Sequence, residues 1–233
     1  MRNAALALPS LCAVCHDWSQ ARLCDDCVQR HAAARPRCAN CALTVPTGTV
    51  QCGACVSSPP PFESAVAAVD YAFPWSRLVV ALKFHAAIDL ADAMAGLLAR
   101  AAREAPSPRA DLVLPVPLSR ERLAERGMNQ AWELARRTAR LLGVPATAHG
   151  LSRPLDTPRL ADLPRESRTA SIRGAFALAP GASAGIRGRS VALVDDVMTT
   201  GATAAEATRT LLAAGASSVQ VWVFARTPAP GDA

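Results

Sequence analysis

Ser190 Val191 Ala192 Leu193 Val194 Asp195 Asp196 Val197 Met198 Thr199 Thr200 Gly201 Ala202 Thr203 runs from a short apolar segment through two adjacent aspartates into a small polar loop. Residues 190–194 are rich in β-branched and aliphatic side chains and flanked by polar ones, the pattern of a strand buried in a parallel sheet. A helix pattern follows over 204–214 and stops at Gly215, and 218–224 reads as the next strand. The connection is long enough for a right-handed βαβ crossover. It predicts an α/β fold whose aspartates and Thr-Thr-Gly loop lie at the carboxyl edge of the sheet, where open sheets bind ligands.

The residue types at that edge define a chemistry. A helix N-terminus offers unpaired N–H groups and a positive dipole, Gly201 lets the backbone approach closely, and the threonines add hydroxyl donors. One phosphate can be held there by Thr199, Thr200, Gly201, Ala202 and Thr203 without a basic side chain. Asp195 and Asp196 suit the vicinal hydroxyls of a ribose, which donate hydrogen bonds that a carboxylate accepts. Neither G-x-x-x-x-G-K-[ST] nor G-x-G-x-x-G occurs in the chain, so the common nucleotide loops are excluded. The expected ligand is a sugar phosphate.

Working outward, 233 residues with 51% apolar content suffice for one large or two modest domains with a real core. Apolar runs stay well below the roughly 18 residues of a membrane span. Residues 1–11 carry too short an apolar stretch, broken by Pro9, for a secretory signal, so the cytoplasm is the expected address and membrane insertion is not expected. The net charge is +6; residues 1–58 hold five arginines against three aspartates, short of the dense basic patch of a strong nucleic-acid binder. Aromatic residues make up only 4%, which limits base-stacking platforms.

All the cysteines fall into four C-x-x-C pairs: Cys12 and Cys15, Cys24 and Cys27, Cys38 and Cys41, Cys52 and Cys55. Each pair forms a knuckle that aims two sulfurs at one metal, and two knuckles complete a closed tetrahedral site of four thiolates. The eight thiols therefore predict two structural zinc sites. Spacers of 8, 10 and 10 residues favour pairing in sequence, first knuckle with second and third with fourth, and leave a cross-braced arrangement open. Disulfides or a redox C-x-x-C are weaker readings. With so few large apolar side chains this segment is expected to need metal to fold, and chelation to unfold residues 1–58 while leaving the pocket intact.

Ser57 Ser58 Pro59 Pro60 Pro61 is a stiff polar boundary. The expected organisation is a double zinc ribbon over 1–58, a Pro-rich linker over 59–63, an α/β domain over 64–228 and a tail over 229–233. Within the α/β domain, 64–73 reads as a strand, 75–85 and 88–103 as helices, and 111–115 as a strand. Lys83 is the only lysine among 25 basic residues, so its ammonium is a candidate ligand contact. The exit after 111–115 is stiffened by Pro115 and Pro117, and Ser119, Arg120, Arg122 and Arg126 bring donors and charge suited to a pyrophosphate. A long helix follows Arg126 Gly127 Met128 Asn129 Gln130, with Arg136, Arg137 and Arg140 expected on its solvated face. Residues 151–176 lose periodicity and carry Arg153, Arg159, Arg165, Arg168 and Arg173; the segment reads as a hood over the reacting centre that brings an arginine to a leaving group.

The four cysteine pairs, Leu82 Lys83, Pro115 Val116 Pro117 Leu118 Ser119, Arg126 Gly127 Met128 Asn129 Gln130, Arg168 with Ala175 Phe176, and the 195–203 string together resemble the ComF family of competence-associated proteins, which includes GntX-like proteins. In that family a cysteine-rich double zinc ribbon precedes a type I phosphoribosyltransferase domain. This chain departs from the family pattern at Met128, where an aromatic is usual, and at Ala170 Ser171 Ile172, where an asparagine follows the hood arginine. The resemblance implies a type I phosphoribosyltransferase-like parallel sheet with flanking helices, binding phosphoribosyl pyrophosphate with magnesium. Asp195 and Asp196 would then hold the ribose, 199–203 the 5-phosphate, Ser119 and Arg120 the pyrophosphate, with Lys83 in contact and Arg168 assisting departure. Two functional classes follow. One is a phosphoribosyltransferase in a competence or nucleotide-salvage setting; the alternative is a non-catalytic DNA-uptake factor whose zinc domain meets single-stranded DNA or a helicase partner, with a regulatory pocket.

Overall fold

The computed structural model describes residues 9–154 and 172–229. Two short units rich in cysteine come first. In one, β1 (Ser10–Leu11) pairs antiparallel with β2 (Trp18–Ser19), and α1 (Asp25–His31) starts at Cys24, whose side chain accepts from the Cys27 amide. In the other, an antiparallel bridge joins Arg37 to Thr44, and α2 (Gly53–Ser57) starts at Cys52. The units repeat one design. Each opens with a knuckle followed by a residue of positive φ, His16 in one and Ala42 in the other, and each closes with a knuckle that begins a short helix.

The sheet comprises β3 (Ser64–Asp70), β4 (Leu112–Pro115), β7 (Ser190–Met198) and β8 (Ser218–Arg226), all parallel, in the order β3-β8-β7-β4. Between them lie α3 (Trp75–Phe84), α4 (Leu90–Glu104), α5 (Arg120–Arg126), α6 (Gln130–Leu142), the antiparallel pair β5 (Leu151–Ser152) and β6 (Ala177–Leu178), α7 (Ser183–Ile186) and α8 (Ala202–Ala213). Helices cover both faces of the sheet, which is why β7 reads as a continuous apolar run. Its Ala192 and Val194 join the core with Leu82, Leu98 and Leu134 of α3, α4 and α6, while Val191 and Leu193 pack with Ala207 and Leu211 of α8. Each of these side chains is inaccessible to solvent. Among the described residues no helix is long and apolar enough to cross a membrane.

Several bounds differ from the sequence reading, for physical reasons. β7 extends past 194 to Met198 because β8 runs beside it to Arg226, pairing Asp195 with Val223 and Val197 with Ala225. On its other side β4 stops early: Val116 donates to Val194 O (2.8 Å), and Pro117 has no N–H to continue. The exit of β4 is a helix rather than a turn, since the Ser119 hydroxyl accepts from the Arg122 amide to cap α5 and Gly127, at φ 73°, ends it. β5 and β6 pair the two ends of the expected hood, whose residues 155–171, including Arg159, Arg165 and Arg168, lie outside the described ones.

Arg137 corrects the expectation of a solvated face. It is 9% exposed and clasped between helices, bonded to Asp92 of α4 (2.8 Å) and to Glu133 one turn back on α6. The cysteine units are also joined to the rest. Trp75 Nε1 donates to His31 O (2.8 Å), Arg100 to Ala32 O (3.1 Å), and Arg22 pairs with Asp89 (2.6 Å). The second unit meets the sheet through Ala42, which packs with Phe62, Met198 and Val223, and through Arg37, which pairs with Asp70 (2.8 Å). The expectation that chelation spares the pocket therefore meets a continuous interface.

Candidate functional site

Asp195 and Asp196 are the sixth and seventh of the nine residues of β7, beyond the point where β4 ends. Asp196 is 3% exposed, and its Oδ2 lies 2.7 Å from the ammonium of Lys83, which reaches across from the last turn of α3. Burial pulls the Lys83 ammonium down to about 8; the Asp195 charge works against that and the Arg126 guanidinium adds to it. Burial also pushes the Asp195 carboxyl up to about 6, opposed by the charges of Lys83, Arg153 and Arg126. Asp195 thus lies in the field of three cations, one of which, Lys83, pairs with Asp196. Arg126 lies 5.1 Å from the Phe84 ring centroid and Arg153, 8% exposed, lies 5.5 Å from that of Phe176, so stacking positions both guanidinium groups.

The loop after β7 turns sharply into α8. Gly201 takes φ 81°, a left-handed conformation that only glycine adopts without strain, and stands as N-cap of the helix, while the Ala202 amide donates to the Thr200 hydroxyl (3.3 Å). A small cavity of about 30 Å³ lies between Asp195, Thr199, Gly201 and Thr203. The structure therefore brings Asp195, Asp196, Lys83 and residues 199–203 to one edge. Ser119 is fully buried, with its hydroxyl used in capping α5, and Arg120 is exposed on the first turn of that helix. Arg168 lies outside the described residues.

The eight cysteines form two groups, Cys12 with Cys15, Cys24 and Cys27, and Cys38 with Cys41, Cys52 and Cys55, the sulfurs of each group lying within 4.8 Å of one another. Pairing in sequence is thereby settled over the cross-braced alternative. Four thiolates about 2.3 Å from a tetrahedral zinc stand about 3.8 Å apart; the Sγ separations are 3.7 Å for Cys15 to Cys24 and 3.6 Å for Cys41 to Cys52. Backbone amides point at the sulfurs, from Val14 and Cys24 to Cys12 Sγ (3.5 and 3.4 Å) and from Cys52 to Cys38 Sγ (3.3 Å). Burial raises the Cys12 and Cys38 thiols, but these amide donors outweigh it and bring them down to about 6 and about 7. Burial pushes the Cys27 and Cys55 thiols up, so it is the donor set and the spacing that fit zinc.

Comparison with known proteins bears on the whole chain. It is 32% identical over 232 residues to the DNA utilization protein YhgH of Escherichia coli O157:H7, covering 95% of this chain and 99% of that protein. Competence protein F of Haemophilus influenzae is 32% identical over 208 residues, covering 88% of this chain and 90% of its own. This chain belongs to the ComF family. No family model matches the chain. Among solved structures, glutamine phosphoribosylpyrophosphate amidotransferase from B. subtilis aligns with a TM-score of 0.41 at 19% identity, over 62% of this chain and 30% of that one. TT1426 from Thermus thermophilus aligns with a TM-score of 0.38 at 18% identity, over 61% and 85%.

Two residues to which the sequence reading gave no role also shape the candidate site. Asn129 caps α6, accepting from the Ala131 amide (2.9 Å), and donates to Val116 O (3.1 Å), which ties that helix to the end of β4. Arg226 ends β8 and is 6% exposed, with its guanidinium among the carbonyls of Cys41, Met198 and Thr199. Its signal was an arginine closing an apolar strand at the sheet edge that carries the site.

Proposed function

We propose that this ComF-family chain binds phosphoribosyl pyrophosphate together with magnesium at the carboxyl edge of its sheet. The observation that carries the reading is the acidic pair at the end of β7, set beside a glycine-capped helix N-terminus with a small cavity between them. Burial leaves Asp195 with a raised pKa, which marks a carboxylate that hydroxyl donors or a cation would stabilise. Asp195 and Asp196 take the ribose hydroxyls and the amides and hydroxyls of 199–203 take the 5-phosphate. Arg120, exposed on the first turn of α5, is assigned to the pyrophosphate, and Lys83 pairs with Asp196 and holds it in place. Arg168 is assigned to the leaving group on the family pattern. Each of the two groups of four thiols would hold one structural zinc ion.

Transfer, where an acceptor is supplied, forms a bond from the acceptor's lone pair to the anomeric carbon as the bond to pyrophosphate breaks. Positive charge develops on the ribose, and the two carboxylates stabilise it more than they stabilise the ground state. Magnesium bound with the ligand would supply charge neutralisation to the departing pyrophosphate. The relatives' names support a setting in competence or DNA utilization.

Titration calorimetry of phosphoribosyl pyrophosphate with magnesium tests the reading. Binding to the zinc-loaded chain that is lost in Asp195→Asn, Asp196→Asn supports it; no binding to the wild type overturns it.

A DNA-uptake role with single-stranded DNA or a helicase partner is favoured by one feature, Trp18, which is 75% exposed on the first cysteine unit and presents a face on which a base can stack. The expected outcome is single-stranded DNA binding that falls steeply with salt and weakens in Trp18→Ala. Affinity indifferent to both rejects this role.

A further inference from the structure

The second cysteine unit and the loop that starts α8 face each other across a cavity of about 380 Å³, lined on one side by Cys41, Cys52 and Pro59 and on the other by Thr200 and Gly201. Direct packing does not close that gap. Arg226 bridges it by hydrogen bonds. Arg226 Nε donates to Cys41 O (2.9 Å), and its Nη1 lies within hydrogen-bonding distance of Met198 O (3.1 Å), Thr199 O (2.5 Å) and Thr227 O (3.0 Å). The guanidinium is a rigid planar fork, so fixing one arm on the knuckle fixes the direction of the other. Four thiolates on one divalent zinc leave a net negative charge, which favours a cation beside the knuckle.

Apolar contacts run in parallel with the bridge. Ala42, next to Cys41 and fully buried, packs with Phe62, Met198 and Ala204, and the position a Cβ would take on Gly201 is 3.6 Å from Met198 Sδ and 3.9 Å from Phe62 Cζ. The first cysteine unit makes its contacts elsewhere, through His31 and Ala32 to α3 and α4.

We propose that Arg226 is a positioning residue through which the metal in the second cysteine site, Cys38, Cys41, Cys52 and Cys55, sets the conformation of the 199–203 loop. Loss of that metal frees the Cys41 carbonyl, the fork loses its anchor, and the loop loosens; the first site has no such effect. The consequence for ligand affinity rests on the proposed function, but the coupling itself is a property of the chain alone.

Amide hydrogen exchange by NMR on the full, zinc-loaded chain reads the coupling without ligand. The reporters are the Ala205 amide, bonded to Gly201 O (2.8 Å), and the Thr227 amide, bonded to Met198 O (3.1 Å). Removing the second-site metal, by Cys55→Ser, is expected to speed both at least about tenfold, the effect of losing one charge-assisted hydrogen bond. Cys15→Ser, which empties the first site, leaves both unchanged. Arg226→Met and Arg226→Lys with both sites filled also speed exchange, and Cys38→Ser, which empties the same site, keeps the test decisive if Cys55→Ser does not fold. Wild-type protection in zinc-loaded Arg226→Met, or equal loosening of the two reporters by the first-site and second-site variants, overturns the proposal. Phosphoribosyl pyrophosphate affinity is read in parallel and is expected to fall about tenfold in Arg226→Met. Absent binding in the wild type would reject the ligand, while the exchange result still decides the coupling.

Discussion

Lys83 Nζ lies 2.7 Å from Asp196 Oδ2, so the one lysine of the chain is an ion-pair partner of a carboxylate at the candidate site. The pair links α3 to β7 across the face of the sheet on which Val79, Leu82 and Val194 pack. Asp196 is almost inaccessible, so the ammonium is what keeps its charge tolerable.

Lys83→Met removes that partner and leaves a buried carboxylate uncompensated. The expected cost is about 3 kcal/mol, seen as a lower urea midpoint with an unchanged slope. Adding Asp196→Asn recovers part of it, because the orphaned charge is gone. A single variant as stable as the wild type would show that water screens the pair.

Asp195 makes stability depend on pH. Its folded pKa, about 6, is above its ordinary value of 3.8, so the folded state holds the proton more tightly. Its contribution is therefore fully favourable below about pH 4 and is lost as pH rises through 6. Asp195→Asn is expected to match the wild type in the acid range and exceed it by up to about 3 kcal/mol at pH 7. Calorimetric melting from pH 4 to 7 measures the difference. The same variant loses ligand binding, and wild-type affinity falls as the pH drops below about 6.

Gly201→Ala meets no hard clash, since its nearest neighbour would be Met198 Sδ at 3.6 Å, but it forces a left-handed φ of 81° on an L-residue. The expected loss is about 1–2 kcal/mol, with Gly201→Asn cheaper. Thermal unfolding checks the order of the three proteins.

Metal analysis of the purified chain should find two zinc ions per molecule. Cys12→Ser or Cys38→Ser should each retain one, since the two sets of four thiols share no ligand. A variant that lost both would imply that the sites fill together.

Much of this was legible in the chain. The knuckles, the strand and acidic pair of β7, and the glycine at the head of α8 depend on residues close in sequence, and local spacing decides which sulfurs and amides can converge. Helix α5 was not legible, because Ser119 and Gly127 read equally well as turn residues until the capping bond is seen. Arg137 was assigned to solvent since α6 alone does not reveal that Asp92 stands opposite it.

The sequence by itself determined the parallel α/β class, the acidic pair that ends an apolar strand and two sites of four thiols, because each rests on short-range pattern. Tertiary structure alone decided that Lys83 belongs to Asp196, that the knuckles pair in sequence, and that Arg226 reaches both a metal knuckle and the 199–203 loop. Cys41 and Arg226 are separated by most of the chain. Only the placement of β8 against β7, with the second cysteine unit folded onto the sheet's carboxyl edge, brings that guanidinium within 2.9 Å of that carbonyl.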